Sequence, residues 1–252
     1  DGLDFHARNP VRLSTEGVAR EAEALLERAR GVTPAGPRLR AQVAAPDAKV
    51  VLLQNGLGVE DGLREHLPES LHLLGGLCYI CVHRSGPGIV EHQAMGRVSL
   101  GYHSGNAAQD AARRQAIVEE GAGLFRQAGI DSQAMPDLDQ ARWHKLVWNV
   151  PYNGLSVLLG ANTSELMADQ SSRELIQGLM AEVVQGAHAC GHEIAPGYAA
   201  QMFNMTERLT DYWPSMYHDH LHQRALELAA IYARPLAASQ AAGCEMPRMQ
   251  AL

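Results

Sequence analysis

The spacing of apolar residues changes character near the middle of this chain. In the first half, short apolar runs are separated by turn residues. Residues 49–54, Lys49-Val-Val-Leu-Leu-Gln54, read as a buried strand, 59–66 as a short helix and 73–82 as a strand. Residues 88–91 and 97–101 follow as strands, and 107–128 as a long amphipathic helix. After Met135-Pro-Asp-Leu-Asp139 the pattern is helical throughout. Asn162-Thr-Ser-Glu165 has the form of a capping box, 173–190 is periodic with Gly191 as its stop, and at least two more helices follow from Tyr198. The order predicts an α/β domain over residues 1–135 and an all-α domain over 136–252.

One predicted helix, residues 141–156, is apolar over most of its circumference. Arg142, Lys145, Asn149, Tyr152, Asn153 and Ser156 fall within an arc of about 100° on an ideal helical projection. Either this narrow polar stripe faces solvent, or the helix is buried and the stripe finds partners or lines a cavity. Lys145, Asn149 and Asn153 lie one turn apart in succession, and an ammonium with two carboxamides suits a small polar anion. Pro151 sits inside the pattern, a cost of about 3 kcal/mol in a regular helix interior, so a kink is expected there.

Composition restricts the classes of function. The chain has 252 residues, 46% of them hydrophobic and 19% charged, enough for one large or two ordinary cores. A formal net charge of −7 with scattered Lys and Arg argues against nucleic acid as a partner. No apolar run reaches membrane-spanning length and no signal peptide is visible, so neither a membrane role nor export is expected. Cys78 and Cys81 lie in a strand-like run whose alternation sends their thiols to opposite faces, which suits neither a metal site nor a redox pair. Structural cysteines and a reducing cytoplasm are expected.

His218-Asp-His-Leu-His222 places His218 and His222 one helical turn apart, but without a third ligand of defined geometry the residues read as a solvated helix face, and no metal is expected. Ser215 and Glu227 would stand about 18 Å apart on one straight helix, so they can share a small ligand only if the chain bends between them. Asn55-Gly-Leu-Gly58 follows the strand 49–54 directly, at the carboxyl end where open α/β sheets bind ligands. It reads equally as a turn using permissive residues. Its glycines miss the dinucleotide fingerprint by one position, so it is not assigned as a phosphate loop.

Taken together, these motifs resemble ketopantoate reductase (2-dehydropantoate 2-reductase). They are Gln54-Asn-Gly-Leu-Gly58, Gly86-Pro-Gly88 leading to Gly96-Arg-Val, Trp143-His-Lys-Leu with Asn149 and Asn153, and Ser215-Met with Asp219 and Glu227. The likeness runs from about Val50 to Gly243-Cys-Glu-Met-Pro247. It implies a Rossmann-type domain followed by a helical substrate domain, and NADPH-dependent reduction of a small 2-oxo acid, 2-dehydropantoate, to pantoate, on the way to pantothenate and coenzyme A. Carried over by position, Lys145 would be the general acid, and Asn55 would orient that lysine or the nicotinamide side. Asn149, Asn153 and Ser215 would hold the substrate, and Glu227 would accept from its hydroxyl. A homodimer is compatible with the resemblance. Other branched or aromatic 2-oxo acids, or a non-catalytic remnant that binds a small acid, are the alternatives.

Some family features are not found. Residues 1–48 show no strand followed by G-x-G-x-x-G, so the Rossmann-type domain reads as incomplete. A break in chain continuity is expected there, with some neighbouring Cα pair much farther apart than about 3.8 Å. Thr163 stands where an asparagine is usual, and Leu226 and Ala229 replace hydroxylic and acidic neighbours of the glutamate.

Overall fold

A computed structural model describes residues 47–86, 89–209 and 211–252. The chain break expected within residues 1–48 lies outside them up to residue 46, as do Pro87 and Gly88 of the Gly86-Pro-Gly88 motif.

The described part of the first half is a four-stranded sheet in the order β1-β2-β3-β4. Strand β1 (Lys49–Leu52) runs parallel to β2 (His72–Gly86), with Lys49 opposite His72. Strand β3 (Ile89–Ser104) returns antiparallel to β2, and β4 (Ser132–Met135) is parallel to β3. Parallel neighbours need a crossover. Helix α1 (Val59–Arg64) lies between β1 and β2 in the chain, and α2 (Ala111–Gln127) lies between β3 and β4.

Strand alternation gives the sheet two apolar faces. Leu74 and Leu100 pack with Ile117, Val118 and Ala122 of α2 on one face. Leu77 packs with Leu138 and Ala141 on the other. On that second face Gly75 and Gly101 are cross-strand partners, and a Cβ at Gly101 would lie 2.8 Å from Leu138 Cβ. The paired glycines leave a flat spot on which the following helix sets its first turn.

That helix, α3 (Leu138–Leu159), is the predicted one, longer at both ends. Asp137 caps it by accepting from the Gln140 amide, and Gly160 ends it at φ 60°. It continues unbroken through Pro151, which is buried together with Val147 and Val150. Helix α4 (Thr163–Ala168) begins with the expected capping box between Asn162 and Glu165. Helix α5 (Gln170–Ala189) stops before Gly191, at φ 84°. Then come α6 (Tyr198–Thr206), α7 (Ser215–Leu221), a π-helical turn (Ala229–Ala233), α8 (Arg234–Ala241) and α9 (Pro247–Ala251). Trp143, Leu146, Val147 and Val150 of α3 form the main core with Ile176, Leu179, Met180 and Val183 of α5.

One expectation needs correction. The strands expected at 88–91 and 97–101 are one strand, β3, carrying an irregularity at Met95 (φ 65°) and Gly96 (φ 153°). Its polar, exposed stretch through His92 and Gln93 hid the continuity. Between Cys78 and Cys81 no residue is inserted into β2, because the extra residue where Tyr79 pairs with Arg97 and Ile80 with Met95 is Gly96 of β3; the consecutive run Cys78 to Val82 borders a cavity facing the helical half.

Candidate active site

The loop at the carboxyl end of β1 is one place where the two halves of the chain meet. Gly56, at φ 97°, has no room for a side chain, because a Cβ there would lie 2.4 Å from Ala230 Cβ. The next amide, Leu57 N, donates to Ala230 O at 2.8 Å. Arg234 Nη1 donates to Leu57 O at 3.2 Å and also to Gly58 O. The loop is therefore both the turn its composition suggested and a docking point for the π-helical turn. It presents Asn55 toward the helical half.

Against this loop lies the polar stripe of α3, which is buried. Arg142 is 2% exposed, Asn149 5%, Asn153 1% and Ser156 0%. Of the two readings of the stripe, the one in which it finds partners inside the protein holds. Arg142 pairs with Glu60 of α1, itself 1% exposed, and its Nη1 donates to Gln54 O at 3.1 Å and Gly56 O at 2.8 Å. One turn on, Lys145 Nζ donates to Asn55 Oδ1 and to Cys78 O, both at 2.6 Å. Asn55 in turn donates from Nδ2 to Glu227 Oε2 at 3.2 Å.

The ammonium of Lys145 is held below its ordinary range. Burial is the main cause, the charge on Arg142 acts in the same direction, and Cys78 and Glu227 oppose them, leaving a pKa of about 8. Such a group is a proton donor near neutral pH and is easily deprotonated just above it.

A cavity of about 250 Å³ opens beside this network. Asn55, Lys145, Asn149 and Ser215 supply its polar wall, and Trp148, Met202, Leu209 and Tyr212 its apolar one. Ser215 borders it from the first turn of α7; the helix ends at Leu221 and the chain turns through Gln223 at φ 54°, which returns Glu227 toward Asn55. The bend expected between Ser215 and Glu227 is present. Glu227 touches the site through Asn55 and does not itself border the cavity. Asn153 also stands back from it, accepting from Met216 N at 3.3 Å and so fixing the first turn of α7. Among the described residues no group of three or more His, Cys, Asp or Glu side chains is arranged to hold a metal ion. His218 instead stacks on His83 with ring centroids 4.8 Å apart.

Several contributors had no usable signal in the sequence. Trp148, Met202, Leu209 and Tyr212 read as core, because an apolar side chain lining a cavity looks like one lining a core. The Cys78 carbonyl is backbone and carries no residue preference. Arg142 stood on the polar stripe, but its partners lie more than 80 residues away in the chain.

A mixed sheet whose carboxyl edge meets a helical domain bearing a lysine is the plan of a two-domain reductase. Residues 34–105 match the family model described as ketopantoate reductase PanE/ApbA, and residues 137–252 match that of ketopantoate reductase PanE/ApbA C terminal. The chain belongs to the ketopantoate reductase family. A 2-dehydropantoate 2-reductase from a Nostoc species is 39% identical over 217 residues, covering 86% of this chain and 67% of the relative. A solved 2-dehydropantoate 2-reductase from Geobacter metallireducens is 41% identical, with a TM-score of 0.72, covering 81% of this chain and 66% of that one. D-mandelate dehydrogenase in complex with NADH shares the fold, with a TM-score of 0.70 at 21% identity over 85% of this chain and 70% of that one. The chain thus spans about two thirds of the length of these relatives.

Proposed function

We propose that this protein catalyses the NADPH-dependent reduction of 2-dehydropantoate to pantoate, with residues 1–135 as the nucleotide-binding domain and 136–252 as the substrate domain. The observation that carries the reading is the ammonium of Lys145, held by Asn55 at the lip of a cavity that Asn149 and Ser215 also border. A 2-oxo acid brings a carbonyl and a carboxylate, and that set offers a proton donor for the first and neutral hydrogen-bonding groups for the second.

The described residues fit the nicotinamide end of the cofactor and not its pyrophosphate. Asn55 lies at the carboxyl edge of the sheet, bordering the cavity, whereas the glycine turn behind it is packed against Ala230 and Arg234 and has no space for a phosphate. When bound, reduced nicotinamide supplies hydride to the carbonyl carbon. Lys145 stabilises the charge that develops on the carbonyl oxygen and gives it a proton. Asn55 keeps the lysine pointed at that oxygen, and Glu227 fixes Asn55 from the other side while its carboxylate favours the charged lysine. Asn149 and Ser215 hold the substrate. Asn153 acts through α7, whose first turn it anchors.

A second reading, reduction of a bulkier 2-oxo acid, is favoured by one feature, the apolar wall of Trp148, Leu209 and Tyr212. Steady-state kinetics with 2-dehydropantoate and phenylglyoxylate, following NADPH oxidation, separates the two. A kcat/KM at least tenfold higher for 2-dehydropantoate supports the first reading, and the opposite ratio the second. No described helix is long and apolar enough to cross a membrane. The proposed setting is the cytoplasm and the proposed assembly a homodimer, which light scattering checks.

A further inference from the structure

Arg142 is the most enclosed cation of the site, and it touches neither the cavity nor the groups that border it by side chain. Its contacts are nevertheless specific. Nη1 donates to the carbonyls of Gln54 and Gly56, the residues on either side of Asn55. Nη2 pairs with the buried carboxylate of Glu60, on the helix that follows the same loop. The guanidinium therefore grips the loop on both sides of the residue that holds Lys145 and the helix after it at a third point, while Arg142 itself sits one turn before Lys145 on α3. A simple structural tie between the domains would need only one of these bonds. The planar, multi-donor guanidinium is suited to hold a backbone segment in one geometry, as an ammonium is not.

We propose that Arg142 is a positioning residue for the proton transfer: by clamping the backbone on both sides of Asn55, it fixes the Asn55 carboxamide in the place from which it bonds Lys145 and Glu227. Its second effect is electrostatic. The positive charge of Arg142 works with burial to keep the lysine ready to release its proton. This inference rests on the reading of Lys145 as the proton donor.

The test uses the purified protein and two readouts. Removing Arg142 alone leaves Glu60 buried and unpaired, so the main variant is the double substitution Arg142→Met with Glu60→Met, which removes both charges. Arg142→Lys accompanies it, keeping the charge but reaching fewer of the carbonyls. The chain has two lysines, Lys49 and Lys145, so 13Cε NMR of labelled lysine gives the titration of Lys145 directly, with Lys49→Arg for assignment. In the double variant, kcat is expected to fall about 10²-fold with KM little changed, as for a misplaced catalytic group, and the Lys145 titration to move up from about 8. Arg142→Lys is expected to titrate near wild type with an intermediate kcat. If the double variant does not fold, Arg142→Lys alone decides, since wild-type kcat there overturns the clamp. Wild-type kcat and an unmoved Lys145 titration in a folded double variant also overturn it. Lys145→Ala measured in parallel separates the two levels. Normal turnover in Lys145→Ala removes the proton-donor reading itself, whereas its loss alongside normal Arg142 variants removes only the clamp.

Discussion

Lys145 and Asn55 are joined by a 2.6 Å hydrogen bond that spans 90 positions of sequence and connects α3 to the carboxyl end of β1. The bond fixes the ammonium of a long, flexible side chain at the boundary between a sheet and a helical domain. It also leaves the lysine with a carboxamide partner, which neutralises nothing, so the charge remains available to a substrate oxygen.

Lys145→Ala is expected to lower kcat by roughly 10²–10⁴-fold, the usual contribution of a positioned general acid, without unfolding the protein. Stopped-flow measurement of NADPH oxidation together with a thermal melt checks both halves. A folded mutant with near-normal turnover removes Lys145 from the chemistry.

The rate of reduction should fall as pH rises through about 8. Lys145 must be protonated to donate, and its pKa is held near that value chiefly by burial. The sign follows from the acid role: activity is full below the pKa and is lost above it. A kcat profile that stays flat to pH 10 contradicts the assignment.

Glu227→Gln keeps the shape but removes the carboxylate that favours charged Lys145, so the alkaline limb of the profile should move to lower pH. The substitution also weakens the Asn55 bond, a charge-assisted hydrogen bond of about 1.5–3 kcal/mol by general measure. Loss of substrate affinity with an unmoved limb would instead place Glu227 directly on the substrate.

Gly56→Ala should be strongly destabilising. The new Cβ would lie 2.4 Å from Ala230 Cβ and 2.7 Å from its carbonyl carbon, and φ of 97° is strained for any L side chain. Overpacking of this kind costs typically about 1–3 kcal/mol, and urea unfolding measures it. A variant of wild-type stability would show that the junction between loop and π-helical turn is looser than described.

The sequence by itself determined the periodicities, and so the α/β-then-α order, the capping box at Asn162, the stop at Gly191 and the polar stripe of α3. These are local properties, set by spacing along one element and by side chains that bond within a few residues. It also set a condition, that Ser215 and Glu227 could serve one site only if the chain bent between them, because a helix has a fixed rise per residue. Only the tertiary structure decided that the stripe faces inward, that Arg142 grips the loop around Asn55, and that Asn153 serves α7 and not the cavity wall. The register shift between Tyr79 and Ile80 and the strand β4, with its unremarkable Ser-Gln-Ala-Met sequence, belong to the same group. Each depends on which distant segment lies opposite, a pairing that residue spacing within one element does not encode.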